Sequence, residues 1–218
     1  MKWGHLSMLK PQDIVILLKI LSMMVLNKKN EDELLSQNKL ATLLCMSVSE
    51  VNAGIKRLVR SGLLAPVLTD DPKNKIIFLP SKSACEECLI SGVKYFFPVE
   101  LGAYTRGIAT SYAAPILEKK FVLGDDPIPV WPYGEGDKRG LALEPLYSSV
   151  PKSLTQFPDQ TFYELLVLVD AIRSGRAREK NIAAALLKEK IHGQSQARKS
   201  YSKFENVGVR SKEIGPSQ

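Results

Sequence analysis

The sequence has few of the residues that catalytic and redox centres draw on. It holds two histidines, His5 and His192, and three cysteines in 218 residues. The histidines stand near opposite ends of the chain, and neither has the neighbours that would make it a general base. A phosphate loop, a dinucleotide fingerprint, a nucleophile elbow and a zinc-helix signature are all missing. The chain therefore reads as a non-enzyme with no cofactor. Long hydrophobic runs are missing too. The longest, Ile14 to Leu26, is interrupted by Lys19 and Ser22 and falls short of the ~20 residues that a bilayer requires. It is expected to be a buried helix. No small-residue cleavage site follows it, so no secretory leader and no membrane association are expected. Together with an odd cysteine count, this makes the cytoplasm the expected location.

What is present is the composition of an ordinary globular chain, 44% hydrophobic and 24% charged, long enough for one large domain or two small ones. The net charge is +7, unevenly distributed. Residues 1–80 carry eleven cations against seven anions, residues 81–175 nine against twelve, and residues 176–218 ten against four. Basic ends around a mildly acidic centre suggest an anionic partner for the ends and a different task for the middle.

The first eighty residues carry the clearest pattern. Pro11 suits the first turn of a helix and Asp13 its positive end, so a helix is expected over about 11–27. Ser36 can cap a second, short helix carrying Leu40, Ala41, Leu43 and Leu44. Ser47-Val48-Ser49-Glu50 has the S-x-x-E spacing of a capping box, which starts a third. In that helix Val51, Ile55, Leu58 and Val59 form one apolar stripe. The other face holds Ser49, Asn52, Ala53, Lys56, Arg57 and Arg60, small or polar at the start and cationic later. Gly54 there costs roughly 1 kcal/mol against alanine and calls for a packing reason that the sequence does not contain. Gly62 supplies a left-handed end. Leu63 to Thr69 and Lys75 to Leu79, separated by Asp70-Asp71-Pro72-Lys73-Asn74, read as a hairpin.

The stretch from Leu40 to Val51, continued by Ile55-Lys56-Arg57-Leu58 and Gly62-Leu63-Leu64, resembles the winged helix-turn-helix of bacterial transcriptional regulators, the MarR-like group in particular. The resemblance covers about residues 11–80. Ala41 matches the small residue where the two helices cross, and Cys45 takes the turn position that glycine often holds. The resemblance implies a recognition helix from Ser47 to about Ser61 in the major groove of double-stranded DNA. Ser47, which opens that helix, would also contact the DNA. Ser49, Asn52 and Ala53 would face bases, Asn52 with the amide geometry that pairs with adenine. Lys56, Arg57 and Arg60 would grip phosphate, as would Lys73 or Lys75 at the wing tip and Lys39 on the preceding helix. A solvated helix face also carries such charges, and winged helices also serve as protein-docking modules.

Beyond Ser81 the pattern is weaker. Ala84, Cys88, Leu89, Val93 and Phe96 have helical spacing up to Pro98. Cys85 and Cys88 lack the second pair that a zinc site needs, and Glu86 and Glu87 disfavour a reactive thiol, so two partly buried cysteines are expected. A second helix is expected over Val99–Leu117. The stretch 124–153, rich in proline and glycine, can hold at most edge strands. Trp131 and Tyr133 there either anchor a binding loop or belong to a connection folded over the helical core, the favoured reading. Asp159 can cap a helix with Phe162, Leu165, Leu166, Val169 and Ile172 on one stripe, and a further helix spans about 177–191. The stripe must be covered by the first helix of the same chain or by a second subunit.

The expected fold is mainly α with a small β-wing: a winged helix-turn-helix domain over 1–80, a helical dimerisation, effector or partner domain over 81–193 with a Pro-rich connection, and a mobile basic tail over 194–218. The expected function is a dimeric, sequence-specific DNA-binding repressor, joined through helices at about 159–191, with an effector or protein partner at 81–158. The alternative is a DNA-anchored interaction protein, antitoxin-like or replication-associated, whose central domain holds a partner protein.

Overall fold

The computed structural model describes residues 8–26, 36–68, 76–121 and 126–193. The wing tip with Lys73 and Lys75, and the basic tail 194–218, lie outside the described residues. The first helix, α1 (Pro11–Leu26), is the shaft of the molecule. Every residue from Asp13 to Met23 is buried, because α1 is apolar all round and has neighbours on every side. It packs on α2 (Gln37–Leu44), on α3 (Val48–Arg60), on the second wing strand and on α8 (Gln160–Ser174). Its two buried charges each tie it to one neighbour. Asp13 accepts two hydrogen bonds from the Arg57 guanidinium of α3, at 2.7 and 2.6 Å. Lys19 Nζ donates to Asp159 at 2.8 Å, and Asp159 in turn caps α8 by accepting from the Phe162 N–H at 2.9 Å.

The expected caps are all present. Ser36 accepts from the Lys39 N–H ahead of α2, and Ser47 and Glu50 form the reciprocal capping box of α3. After Gly62, at φ +74°, come β1 (Leu64–Leu68) and β2 (Ile76–Pro80), an antiparallel pair running from Leu64 opposite Pro80 to Leu68 opposite Ile76. The chain then forms α4 (Lys82–Glu87), a π-helical turn over Cys88–Gly92, and α5 (Val93–Phe96).

The helix expected over Val99–Leu117 is not formed. That stretch is β3 (Leu101–Ala109), a 3₁₀ turn over Ser111–Ala113 and α6 (Pro115–Glu118). Its alanines imitate helical spacing, but Gly102, Gly107, Tyr104, Thr105 and Ile108 suit a strand, and Pro115 cannot stand deep inside a helix. The missing partners are β4 (Pro129–Pro132) and β5 (Lys138–Leu143), both from the Pro-rich stretch. β3 pairs antiparallel with each, β4 and β5 pair parallel, and the three strands close on themselves. Closure at so small a radius needs glycine. A Cβ on Gly107 would stand 1.9 Å from the Trp131 carbonyl oxygen, and one on Gly140 1.9 Å from that of Ile128.

Trp131 belongs to the core. It is buried, stacks edge-on against Tyr163, and donates through Nε1 to Asp170 of α8 at 2.6 Å. Thr110 donates to the same carboxylate at 3.0 Å and Arg173 at 2.7 Å, while Arg173 Nε holds the Phe97 carbonyl oxygen. Burial pushes the Asp170 carboxyl upward against the opposing pull of these donors. This network fastens the closed strands to α8.

α7 (Val150–Gln156) precedes α8, and α9 (Ala177–His192) forms the expected hairpin with it. Every residue from Leu165 to Arg173 is buried. The stripe is covered within the chain, chiefly by α1 and α9. The reason for placing a dimer interface at 159–191 is thereby removed. One continuous core also joins α1, α2 and α3 to α8 and α9, so residue 80 ends the wing without dividing the core.

Candidate nucleic-acid interface

α2 and α3 cross with Leu40, Ala41 and Leu44 against Val51, Ile55 and Leu58, all buried. This leaves one outward line on α3. Ser49, Lys56 and Arg60 are exposed, Ala53 is half-buried between them, and Lys39 of α2 is exposed too. Residues four or so apart share a helix face, so serine and alanine lie at the N-terminal half of the line and the two cations at the other. Asn52 flanks the line. It is half-buried, and its Nδ2 donates to Gln37 Oε1 at 2.7 Å, which fixes its amide plane.

Two expected contacts are placed elsewhere. Arg57 is spent on Asp13, a fully buried carboxylate, and the shared hydrogen bonds raise the guanidinium pKa further. The Ser47 hydroxyl is engaged in the capping box, accepting from the Glu50 N–H at 3.2 Å and bonding its carboxylate at 2.7 Å. The cations that remain for phosphate among the described site residues are Lys39, Lys56 and Arg60. Gly54 finds its packing reason in the same contact: a Cβ there would stand 2.5 Å from Ile16 Cδ1 and 3.0 Å from Asp13 Oδ1.

Sequence reasoning missed Val48, the first residue of α3, which is 45% exposed. It is an apolar residue out of phase with the stripe, the kind of group that meets a thymine methyl. It also missed Gln37 and the segment around α7. Tyr147 donates to Glu50 Oε1 at 2.5 Å. That bond, with those from the Ser47 backbone and hydroxyl, holds the Glu50 carboxyl below its ordinary value. Only Gln37 left a signal, lying fifteen residues before Asn52 on the adjoining helix.

Cys85 is buried in the core and Cys88 packs partly buried against it. Burial pushes the Cys85 thiol up to about 12 and raises Cys88 as well, and no metal-holding cluster occurs among the described residues. Nor is any described helix long and apolar enough to cross a membrane.

Residues 7–64 match the family described as a helix-turn-helix domain, about a quarter of the chain, ending where the wing begins. No curated protein and no solved structure matches the chain. The chain carries a helix-turn-helix domain, built of α1, α2 and α3, and the match does not single out the MarR-like group.

Proposed function

We propose that the protein is a sequence-specific DNA-binding regulator that lays α3 in the major groove. The observation that carries this reading is the outward line of Ser49, Ala53, Lys56 and Arg60 on the third helix of the matched domain. Small and polar groups suit base edges, and cations suit phosphate. The wing β1–β2 following α3 supports the likeness to MarR-like regulators. Repression by occluding a promoter is the simplest mechanism.

One helix reads only a half-site, and a twofold dimer would read two. The exposed surface at and just before β3 is the candidate interface for such a dimer. Of the large hydrophobic side chains exposed among the described residues, Tyr95, Phe96, Leu101 and Tyr104 fall within ten residues. Glu100 and Arg106, both exposed, flank this patch with opposite charges. Sedimentation of the wild type against Tyr104→Ser tests this, with a dimer turned to monomer as the expected result. A wild type that sediments as monomer rejects the dimer and leaves the patch for a different protein, as the DNA-anchored interaction reading requires.

The test of DNA reading is binding to a fragment from the protein's own upstream region, titrated with salt against random competitor. Binding that survives competitor and weakens log-linearly with salt is expected. Lys56→Ala and Arg60→Ala are each expected to lower the salt slope by about one. Binding abolished by competitor rejects sequence reading.

A further inference from the structure

The turn between α2 and α3 is completed by residues about a hundred positions away. A helix end leaves four carbonyl groups without partners inside the helix. In α2 two of these are satisfied locally, Ala41 by the Met46 N–H at 3.0 Å and Thr42 by the Cys45 N–H at 3.1 Å. The other two are not. The Leu43 carbonyl accepts from the Ser153 hydroxyl at 2.6 Å, and the Leu44 carbonyl from the Ser149 hydroxyl at 2.7 Å. Cys45 follows in left-handed backbone, φ 51°, a conformation that a side chain disfavours. Its thiol donates to Gln156 Oε1 at 3.2 Å. Across the turn, Tyr147 holds the Glu50 carboxylate that completes the cap of α3.

From these contacts we infer that Tyr147, Ser149 and Ser153 are positioning residues of the DNA-reading unit. They fix how the C-terminal end of α2 and the N-terminal end of α3 meet, and so where Ser49 and Ala53 are held. The apolar contacts between α2 and α3 hold the helices together, but they are non-directional. The hydroxyl bonds set orientation. Base-edge contacts depend on such support from a surrounding shell, whereas phosphate contacts tolerate small displacements. This inference rests on the regulator reading, and its signature is a loss of discrimination with phosphate binding unchanged.

The experiment uses the full chain as wild type, as Ser149→Ala/Ser153→Ala, as Tyr147→Phe and as the conservative Ser149→Thr. Each is measured against the fragment that the wild type selects from a random-sequence pool and against random DNA. The double alanine variant is expected to lose roughly tenfold in selectivity, with non-specific affinity and salt slope unchanged. Ser149→Thr, which keeps the hydroxyl, should retain selectivity. Amide hydrogen exchange at residues 45–50 should quicken in the double variant while residues 165–172 stay protected. Unchanged selectivity overturns the proposal, as does an equal loss of specific and non-specific binding. Should the double variant fail to fold, Tyr147→Phe, which removes one partly exposed hydroxyl, carries the same test. A wild type that selects no sequence rejects the regulator reading instead. The exchange measurement then decides the brace alone: quickening confined to 45–50 upholds it, and unchanged exchange rejects it.

Discussion

At the scale of single residues, Arg57 shows how one contact reassigns a role. Its place on the polar face of α3 marks it as a phosphate ligand, yet a carboxylate forty-four positions earlier takes its Nε and an Nη2 donor. Arg57→Ala would leave the buried Asp13 carboxylate without its cation, with only the Lys10 N–H bonded to it. It is expected to cost about 3 kcal/mol, read as a lowered urea midpoint at an unchanged slope. Lys56→Ala, on the same helix but in solvent, is expected to change stability by less than ~0.5 kcal/mol while weakening DNA binding. Equal midpoints for the two variants would reject this division of labour. The cysteines divide in the same way. Iodoacetamide at neutral pH is expected to label the partly exposed Cys45 and to leave Cys85 unlabelled until the chain unfolds, because only a thiolate reacts and burial holds the Cys85 thiol near 12. Peptide mapping after partial labelling decides it.

At the scale of elements, the caps were legible and the pairings were not. Ser36, Ser47, Glu50 and Asp159 were readable because a cap is a local pattern of three or four residues. β3 was misread because its strand character comes from β4 and β5, up to about forty positions on, and local alanine spacing is silent about that. The cap of α3 also carries a pH signature. Tyr147 first, then the Ser47 backbone and hydroxyl, hold the Glu50 carboxyl below its ordinary value of 4.5. A group whose pKa is depressed by folding binds its proton more readily in the unfolded chain, so its stabilisation is present above the unfolded value and is lost as pH falls through the folded one. Asp159 adds to this. Burial raises its pKa, but Lys19, the Phe162 N–H and Ser22 outweigh burial and leave it below 3.8. The unfolding temperature is expected to fall as pH drops below about 4.5, with a shallower fall in Glu50→Gln than in the wild type. An identical acid limb in both would remove Glu50 from the account.

At the scale of the whole molecule, the helix-turn-helix domain does not stand apart from the rest. α1 belongs to it by sequence and to the α8–α9 hairpin by burial, with Lys19 tied to the cap of α8. A fragment of residues 1–80 is expected to lack a cooperative thermal transition and to self-associate, because it would expose the α8-facing side of α1. The full chain is expected to unfold in one transition, with calorimetric and van't Hoff enthalpies equal. Two separated transitions in the full chain, or a fragment that melts cooperatively, would contradict a shared core.

The sequence by itself determined the local features: the buried apolar helix at 11–26, the capped helices after it, the wing, the α8–α9 hairpin, and the candidate face of Ser49, Ala53, Lys56 and Arg60. Each of these is written in neighbouring residues, through helical or alternating period and cap chemistry. Only the tertiary structure decided that Arg57 serves Asp13, that Trp131 is core, that the Pro-rich stretch closes three strands around Gly107 and Gly140, and that Ser149 and Ser153 complete a turn at Leu43 and Leu44. Those are contacts between residues tens to more than a hundred positions apart. Periodicity records which face of an element is apolar, but not which distant element will cover it.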